Sequence, residues 1–420
     1  MPKIIETASR HKLLIENFSY LSALQLLNML LPFVTYPFLI RILGKEVYGL
    51  VIFSQAVIGY LVILVGFGFN VSATKEVSIY RDNPEKLSQI VSSVLIIKSS
   101  LCFFSLIILS IVLWFIPKAH GYVALFYLTM WLCVYDVVFP VWYFQGVERM
   151  KYITWLTLAS RLIFVGLILL FIKSPADYLL VPIINGIGAV VAGLASLYII
   201  FISHEVRFSK QPYDVLKYYF KEAIPIFVSN VSIQIYASSN KVILGTFLGM
   251  AEVAYYDLGE KLVAILRIPQ GLISQTLFPK INKDKDIGFV KKAFHLSLLF
   301  NIFLTLVLVI FSRKIIVMLG GEQMLPTIWV VNILVLTVPI VAMSNIFGIQ
   351  LLIPFGYSKP FSKVIILSGL VYLVQLLLLW PTLGFNIYNI SIVTIITETF
   401  VTMYLFYLCK RFNLWINAPA

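Results

Sequence analysis

Charged residues are scarce in this chain of 420 amino acids. Asp, Glu, Lys and Arg together make up 12% of the sequence, whereas soluble domains usually contain about 25%. Apolar residues supply 60%, and they form continuous runs, unlike the alternating pattern of a membrane β-barrel. This composition predicts an all-α polytopic membrane protein and disfavours a soluble enzyme or a soluble binding domain.

Residues that form metal sites, disulfides or nucleotide sites are also few. The three cysteines (Cys102, Cys133 and Cys409) all lie inside apolar runs, and the four histidines lack the spacing of metal ligands. No phosphate-binding loop or hydrolase motif occurs. The net charge of +13 comes from Lys and Arg in short connections between apolar segments, as in membrane proteins. We therefore expect no cofactor, no metal, no enzymatic centre and no nucleic-acid partner.

Windows of about 20 apolar residues predict twelve transmembrane helices. Most Lys and Arg residues outside these windows fall in connections on the same side of the membrane as the N-terminus. The positive-inside rule then places both termini in the cytoplasm. The predicted spans are 17–40, 48–70, 91–116, 122–144, 153–173, 178–202, 223–248, 254–279, 292–312, 328–353, 363–382 and 388–410.

The chain repeats a short motif about halfway along its length. Leu43–Tyr48 follows the first predicted span, and the similar segment Leu248–Tyr255 follows the seventh. Six spans return a chain to its starting side, so two six-helix lobes of the same orientation are predicted. They would be related by a pseudo-two-fold axis along the membrane normal. The predicted parts are an N-terminal lobe (1–202), a cytoplasmic linker (203–222) and a C-terminal lobe (223–420).

Ionisable and polar residues inside the spans are the candidate site residues. A charge near the bilayer centre costs at least ~2.5–3.5 kcal/mol, so such groups normally face a cavity or a partner. Several of them recur at helical spacing and form polar stripes. One interpretation is a cationic, water-filled cavity that binds a diphosphate, with Arg giving bidentate hydrogen bonds. Its predicted lining residues are Lys98, Arg161, Asn230, Gln234, Ser238, Lys241 and Arg267.

The alternative interpretation of the same charges is ion pairing between buried helices. It is favoured for Asp257, Glu260 and Lys261, because Asp257 and Lys261 are four residues apart with the acid first. Two further acids, Glu398 and Asp136, could titrate near neutrality in an apolar wall and couple transport to protons. The residues alone leave both questions open.

Two stretches of the first hairpin carry a resemblance to a known family. Tyr36–Gly49 contains Y-P-F-L-I-R-I-L-G followed by Y-G, and Gly66–Glu76 reads G-F-G-F-N-V-S-A-T-K-E. Together with Asn240–Gly245 and Val253–Lys261, they resemble the Wzx-type lipid-linked oligosaccharide flippases. These belong to the multidrug/oligosaccharidyl-lipid/polysaccharide exporter superfamily. Members of the family often have an acid where Asn240 stands, and this departure removes one possible partner of Lys241.

The resemblance implies a flippase for undecaprenyl-diphosphate-linked oligosaccharides of O-antigen or capsule, working by alternating access. Its expected partners are that lipid-linked substrate, membrane lipids, a polysaccharide polymerase and a chain-length regulator. Basic residues of the cavity between the lobes are implicated in relatives, which corresponds here to Arg161, Lys241 and Arg267. The alternatives are a multidrug/cation antiporter of the same superfamily and a polytopic O-antigen polymerase. Short outer loops count against the polymerase.

Overall fold

Every regular element in the described part of the chain is a helix. In this computed structural model the backbone is described for residues 2–115 and 117–415. Side chains within those ranges are described except at 2–15, 18, 21–22, 26, 28–30, 117–119, 233, 236 and 237.

The chain divides into two compact units, which we call unit 1 and unit 2. Unit 1 consists of Met1–Gly44 and Ser54–Asn230, and unit 2 consists of Lys45–Phe53 and Val231–Ala420. The helices before residue 210 are α1 (Pro2–Gly66), α2 (Phe69–Tyr80), α3 (Pro84–Phe115), α4 (Val123–Thr129), α5 (Trp131–Val138), α6 (Val141–Gly146), α7 (Met150–Phe171) and α8 (Leu180–Tyr198). Those after it are α9 (Tyr213–Ile243), α10 (Met250–Leu266), α11 (Ile268–Asp284), α12 (Ile287–Gly320), α13 (Thr327–Leu334), α14 (Thr337–Asn345), α15 (Ser358–Thr382) and α16 (Ile387–Arg411).

Nine helical stretches of the described residues are long and apolar enough to cross a membrane. They are Leu31–Tyr80, Pro84–Phe115, His120–Gly146, Met150–Phe171, Pro175–Ser203, Ile287–Gly320, Thr327–Leu352, Ser358–Thr382 and Ile387–Arg411. The prediction of an all-helical polytopic membrane protein is thus confirmed. Two of the twelve predicted spans, 223–248 and 254–279, fall in α9 and in α10–α11, outside these nine. The count of twelve stays a prediction.

The first two predicted spans, 17–40 and 48–70, are joined at a kink. Within Pro2–Gly66 two helices meet at Gly44, whose backbone is not helical. The break is confined to Gly44, whose φ of 73° lies in the left-handed region. Glycine adopts this conformation without the steric cost of a Cβ atom. One residue therefore changes the direction of α1, and the segment after it, Lys45–Phe53, becomes part of unit 2.

In unit 1, the Gly66-Phe67-Gly68 motif forms the junction between α1 and α2. Phe67 (φ 43°) and Gly68 (φ 81°) both have left-handed backbone conformations. The ring of Phe67 stacks on Phe220 and Phe227 of α9, with centroid distances of 4.3 and 4.4 Å. The motif thus ends one helix and fixes the beginning of α9 against the core of unit 1.

In unit 2, α10 packs against α13, while α14 and α15 pack against α16. The apolar core of this unit includes Val290, Leu351, Val364 and Cys409, all of which are fully buried. This packing leaves α9, α10 and α16 with polar side chains directed into the interior of the unit.

Candidate functional site in unit 2

A small polar cavity lies among α9, α10 and α16. Its volume is about 120 Å³. The polar side chains that line it are Asn240, Tyr256, Glu260, Arg267, Thr394 and Glu398. Two of the residues predicted from sequence, Arg267 and Glu398, therefore meet at one site although they are more than 130 positions apart.

Asn240 is the centre of a buried hydrogen-bond network. Its Nδ2 donates to Tyr256 Oη over 2.6 Å and to Thr394 Oγ1 over 2.9 Å. Its Oδ1 accepts a hydrogen bond of 2.7 Å from the hydroxyl of Tyr372. The amide is thus engaged through both ends, and it connects α9 with α10, α15 and α16. In this chain the uncharged residue at position 240 therefore connects four helices by hydrogen bonds.

A chain of ion pairs adjoins the cavity. Lys241 Nζ lies 3.0 Å from Asp257 Oδ1 and 2.6 Å from Glu260 Oε2. Lys261 Nζ lies 2.5 Å from Asp257 Oδ2, while the Asp257 side chain is 1% exposed. The structure therefore confirms the predicted ion pairing of Asp257, Glu260 and Lys261. It also makes Lys241 the shared partner of two carboxylates, so its charge is compensated in this state.

The segment Lys45–Phe53 contacts the ion pairs of Lys241, Asp257, Glu260 and Lys261, which we call the cluster, through Tyr48. It also makes two close contacts in which one partner is a glycine. The hydroxyl of Tyr48 donates to Asp257 Oδ2 over 2.8 Å. A Cβ atom on Gly49 would lie 1.7 Å from the carbonyl oxygen of Met250, and one on Gly245 would lie 2.2 Å from the Phe53 ring. Only glycine permits such an approach. The segment therefore packs against Met250 at the beginning of α10 and against Gly245, which lies just after the end of α9.

Arg267 stands at the junction of α10 and α11. Its Nη2 donates to Thr337 Oγ1 over 2.6 Å, and among the described residues its buried Nε has no hydrogen-bond partner. The carboxylate of Glu398 faces the same cavity. Across the cluster and the cavity, the cations Lys241, Lys261 and Arg267 are matched in number by three carboxylates. The substrate-binding role predicted for Lys241 and Arg267 stays a prediction.

The remaining predicted residues lie elsewhere. In unit 1, Lys98 is 1% exposed; its ammonium lies 2.8 Å from Asp136 Oδ2 and donates to the carbonyl of Asp136. Arg161 is exposed on α7. Asn230 is the exposed last residue of unit 1, whereas in unit 2 Gln234 donates to Ser238 over 2.8 Å. The two acids predicted from sequence are in different units: Asp136 is in unit 1 and Glu398 is in unit 2.

Sequence reasoning missed four residues around the cluster and the cavity. These are Tyr48, Tyr256, Thr337 and Tyr372. Tyr256 is four residues before Glu260, which was predicted to form an ion pair. This spacing places the two side chains on one face of a helix and could have indicated Tyr256. The other three come from distant segments, and no local pattern indicates their partners.

Long apolar helices that hold buried ion pairs and a polar cavity define a polytopic membrane protein of the transporter kind. The chain belongs to the polysaccharide biosynthesis protein family, whose model matches residues 14–285. One relative is a candidate O-antigen transporter of Escherichia coli (strain K12). It is 28% identical over 397 residues, which cover 92% of this chain and 94% of the relative.

Two solved structures have the same fold. One is an inward-facing multidrug resistance transporter of the MATE family in the MOP superfamily. It has a TM-score of 0.72 and 13% identity, and the match covers 95% of this chain and 98% of that one. The other is the lipid II flippase MurJ in an inward closed conformation. Its TM-score is 0.71 with 15% identity, and the match covers 93% of this chain and 87% of that one.

Proposed function

We propose that this protein flips undecaprenyl-diphosphate-linked oligosaccharides of O-antigen or capsule from the cytoplasmic to the periplasmic leaflet of the inner membrane. It does so by alternating access and is not an enzyme. The main support is the family match, which extends from residue 14 to 285. In addition, the alignment with the candidate O-antigen transporter of E. coli covers 92% of this chain. The fold similarity to MurJ supports the same class of activity.

The proposed architecture has twelve transmembrane helices in two six-helix lobes, 1–202 and 223–420, with a cytoplasmic linker at 203–222. Both termini are cytoplasmic. The support is the clustering of Lys and Arg in alternate connections, together with the repeated motif at Leu43–Tyr48 and Leu248–Tyr255.

The proposed substrate site uses Arg161, Arg267, Lys241 and Lys98 to bind the diphosphate, with Asn230, Gln234 and Ser238 hydrogen-bonding to sugars. Lys241 is held by Asp257 and Glu260, and Lys98 by Asp136. In this scheme a diphosphate replaces a carboxylate as the partner of each lysine. The carboxylates hold the lysine charges while the site is empty, which lowers the cost of burying them.

Glu398 and Asp136 are the proposed proton-coupling groups. The Glu398 carboxylate lines the polar cavity, and no hydrogen bond or ion pair to it is found among the described residues. A neutral and a charged form could therefore exchange there. In proteoliposomes with an imposed pH gradient, Glu398→Gln should abolish the stimulation of flipping by the gradient. Stimulation equal to that of wild type would remove Glu398 from this role.

Deleting the gene tests the function directly. Surface polymer should disappear while its lipid-linked unit continues to be made and accumulates on the inner leaflet. Units that reach the outer leaflet but stay unpolymerised would instead indicate the polymerase alternative. Normal polymer with increased drug sensitivity would indicate the antiporter alternative. A polysaccharide polymerase and a chain-length regulator are the proposed partners downstream.

A further inference from the structure

A second polar pocket lies in unit 1, and it is separate from the polar cavity of unit 2. Its volume is about 320 Å³, which is within the range of roughly 300–1,000 Å³ common for small-ligand sites. Three segments form it: the α2–α3 turn with Arg81 and Asp82, the α6–α7 connection with Arg149, and His204. His204 directly follows the helical turn Ile199–Ser203 that continues from α8. None of these residues belongs to the proposed transport cavity.

The walls of the pocket are held in place by polar contacts. Arg81 Nη1 lies 2.9 Å from Glu148 Oε2, and its Nε lies 3.9 Å from the exposed Asp82. The side chain of Asn17 donates to the carbonyl of Glu148 over 2.8 Å and accepts from the amide of Met150 over 3.3 Å. Glu148 itself has a left-handed φ of 58°. These contacts fix the loop that presents Arg149 to the pocket.

Two donors in the pocket remain unused. Within the described part of the chain, the Arg149 guanidinium forms no ion pair and the buried His204 Nε2 has no hydrogen-bond partner. His204 Nδ1 is 2.9 Å from the hydroxyl of Tyr143. Burial, together with the nearby Arg149 charge, lowers the pKa of His204, so the ring is neutral at pH 7. When the Tyr143 hydroxyl donates to Nδ1, the hydrogen of the neutral ring is on Nε2, which then acts as a donor.

Arg149 and His204 both line the pocket, and a guanidinium together with an N–H donor suits the oxygens of a phosphate group. Arg149 compensates the phosphate charge, because Arg81 is already paired with Glu148. Leu87 and Pro84 give the pocket an apolar wall for the adjoining carbons. The three connections that form the pocket are among those that the charge distribution predicts to be cytoplasmic. We infer that this pocket binds the phosphate of a lipid headgroup, with Arg149 as its principal ligand and His204 as a second donor.

Two sources share this chemistry: an anionic phospholipid and the diphosphate of a lipid-linked substrate. Purified full-length protein in detergent would be titrated with phosphatidylglycerol and with undecaprenyl diphosphate, and bound lipid counted by native mass spectrometry. Diacylglycerol and undecaprenol are matched probes that lack only the phosphate. Binding of phosphatidylglycerol alone would identify a phospholipid site, and binding of undecaprenyl diphosphate alone would identify a substrate entry site.

The variants are Arg149→Gln and Arg149→Lys, with Lys151→Gln as the matched loss of one exposed cation two residues away. Loss of a charge-assisted hydrogen bond should weaken binding about tenfold in Arg149→Gln. Arg149→Lys should bind with intermediate affinity, and Lys151→Gln should bind like wild type. Equal affinity of Arg149→Gln and Lys151→Gln, or no preference for phosphate-bearing lipids over their neutral counterparts, would overturn the inference. The readout is binding, so it is independent of whether the protein exports polysaccharide.

Discussion

The hydroxyl of Tyr48 donates a hydrogen bond of 2.8 Å to the carboxylate of Asp257, which is 209 positions later in the chain. Lys261 Nζ lies 3.1 Å from the same tyrosine oxygen. The two segments that carry the family resemblance, Tyr36–Gly49 and Val253–Lys261, therefore meet at one buried ion pair.

Tyr48→Phe should lower the stability of the protein. The change removes one donor to a buried carboxylate and keeps the ring, so the expected cost is the ~1–3 kcal/mol of an unsatisfied buried polar group. The melting temperature of the purified protein in detergent measures it. Tyr407→Phe, which removes an exposed hydroxyl of α16, is the control. Equal melting temperatures for the two variants would show that the Tyr48 contact contributes nothing.

Asp257→Asn should reduce the amount of inserted protein strongly. It leaves Lys261 without its carboxylate and Lys241 with Glu260 alone, and breaking a buried pair typically costs about 3–5 kcal/mol. Adding Lys261→Met should recover much of the loss, because the uncompensated charge is removed. Immunoblotting of membranes measures abundance, with the exposed Glu322→Gln as control. A double variant no more abundant than Asp257→Asn would argue against a structural pair.

The fold could be predicted from sequence where the signal is local. Long apolar runs predicted the membrane helices, and nearly all predicted spans coincide with observed helices. The form of the break between the first two spans was less predictable. The polar run Leu43–Gly49 indicates that the helix is interrupted there, and the structure places the interruption at Gly44 alone. Composition does not distinguish a turn from such a break.

In the candidate site of unit 2, contacts within one helix were predictable from sequence. The i,i+4 spacing of Asp257 and Lys261 predicted their ion pair, which the structure confirms. Tertiary partners were not predictable. The partner of Lys98, for example, is Asp136 on another helix. Similarly, the residues that engage Asn240 come from α10, α15 and α16, and a single sequence holds no record of which helices adjoin.

Arg161→Ala should reduce export about tenfold or more while protein abundance stays normal, since Arg161 is exposed on α7 and its loss leaves no buried partner unpaired. The expected reason is the loss of charge-assisted hydrogen bonds to the diphosphate. Arg161→Lys should export less well than Lys241→Arg, because lysine lacks the bidentate fork. Surface polymer per unit of membrane protein is the measurement, with Lys173→Ala as control. Full export by Arg161→Ala at normal abundance would remove this residue from the substrate site.

The proposed orientation predicts which positions an impermeant thiol reagent reaches. In a background without the native cysteines, Lys45→Cys and Glu322→Cys should be labelled from outside the cytoplasmic membrane, and Glu322 is exposed. Lys86→Cys and Lys283→Cys should be labelled only after the membrane is opened, because Lys and Arg cluster on their side. External labelling at position 86 would reverse the orientation.

We expect that this chain by itself carries a lipid-linked oligosaccharide across a bilayer. Purified protein reconstituted into liposomes with undecaprenyl-diphosphate-linked oligosaccharide in both leaflets should make the inner-leaflet pool accessible to an external glycosidase. Liposomes without protein and liposomes with Arg161→Ala should leave that pool protected. If the inner-leaflet pool is equally protected from the glycosidase with and without correctly inserted wild-type protein, the proposed flippase activity is contradicted.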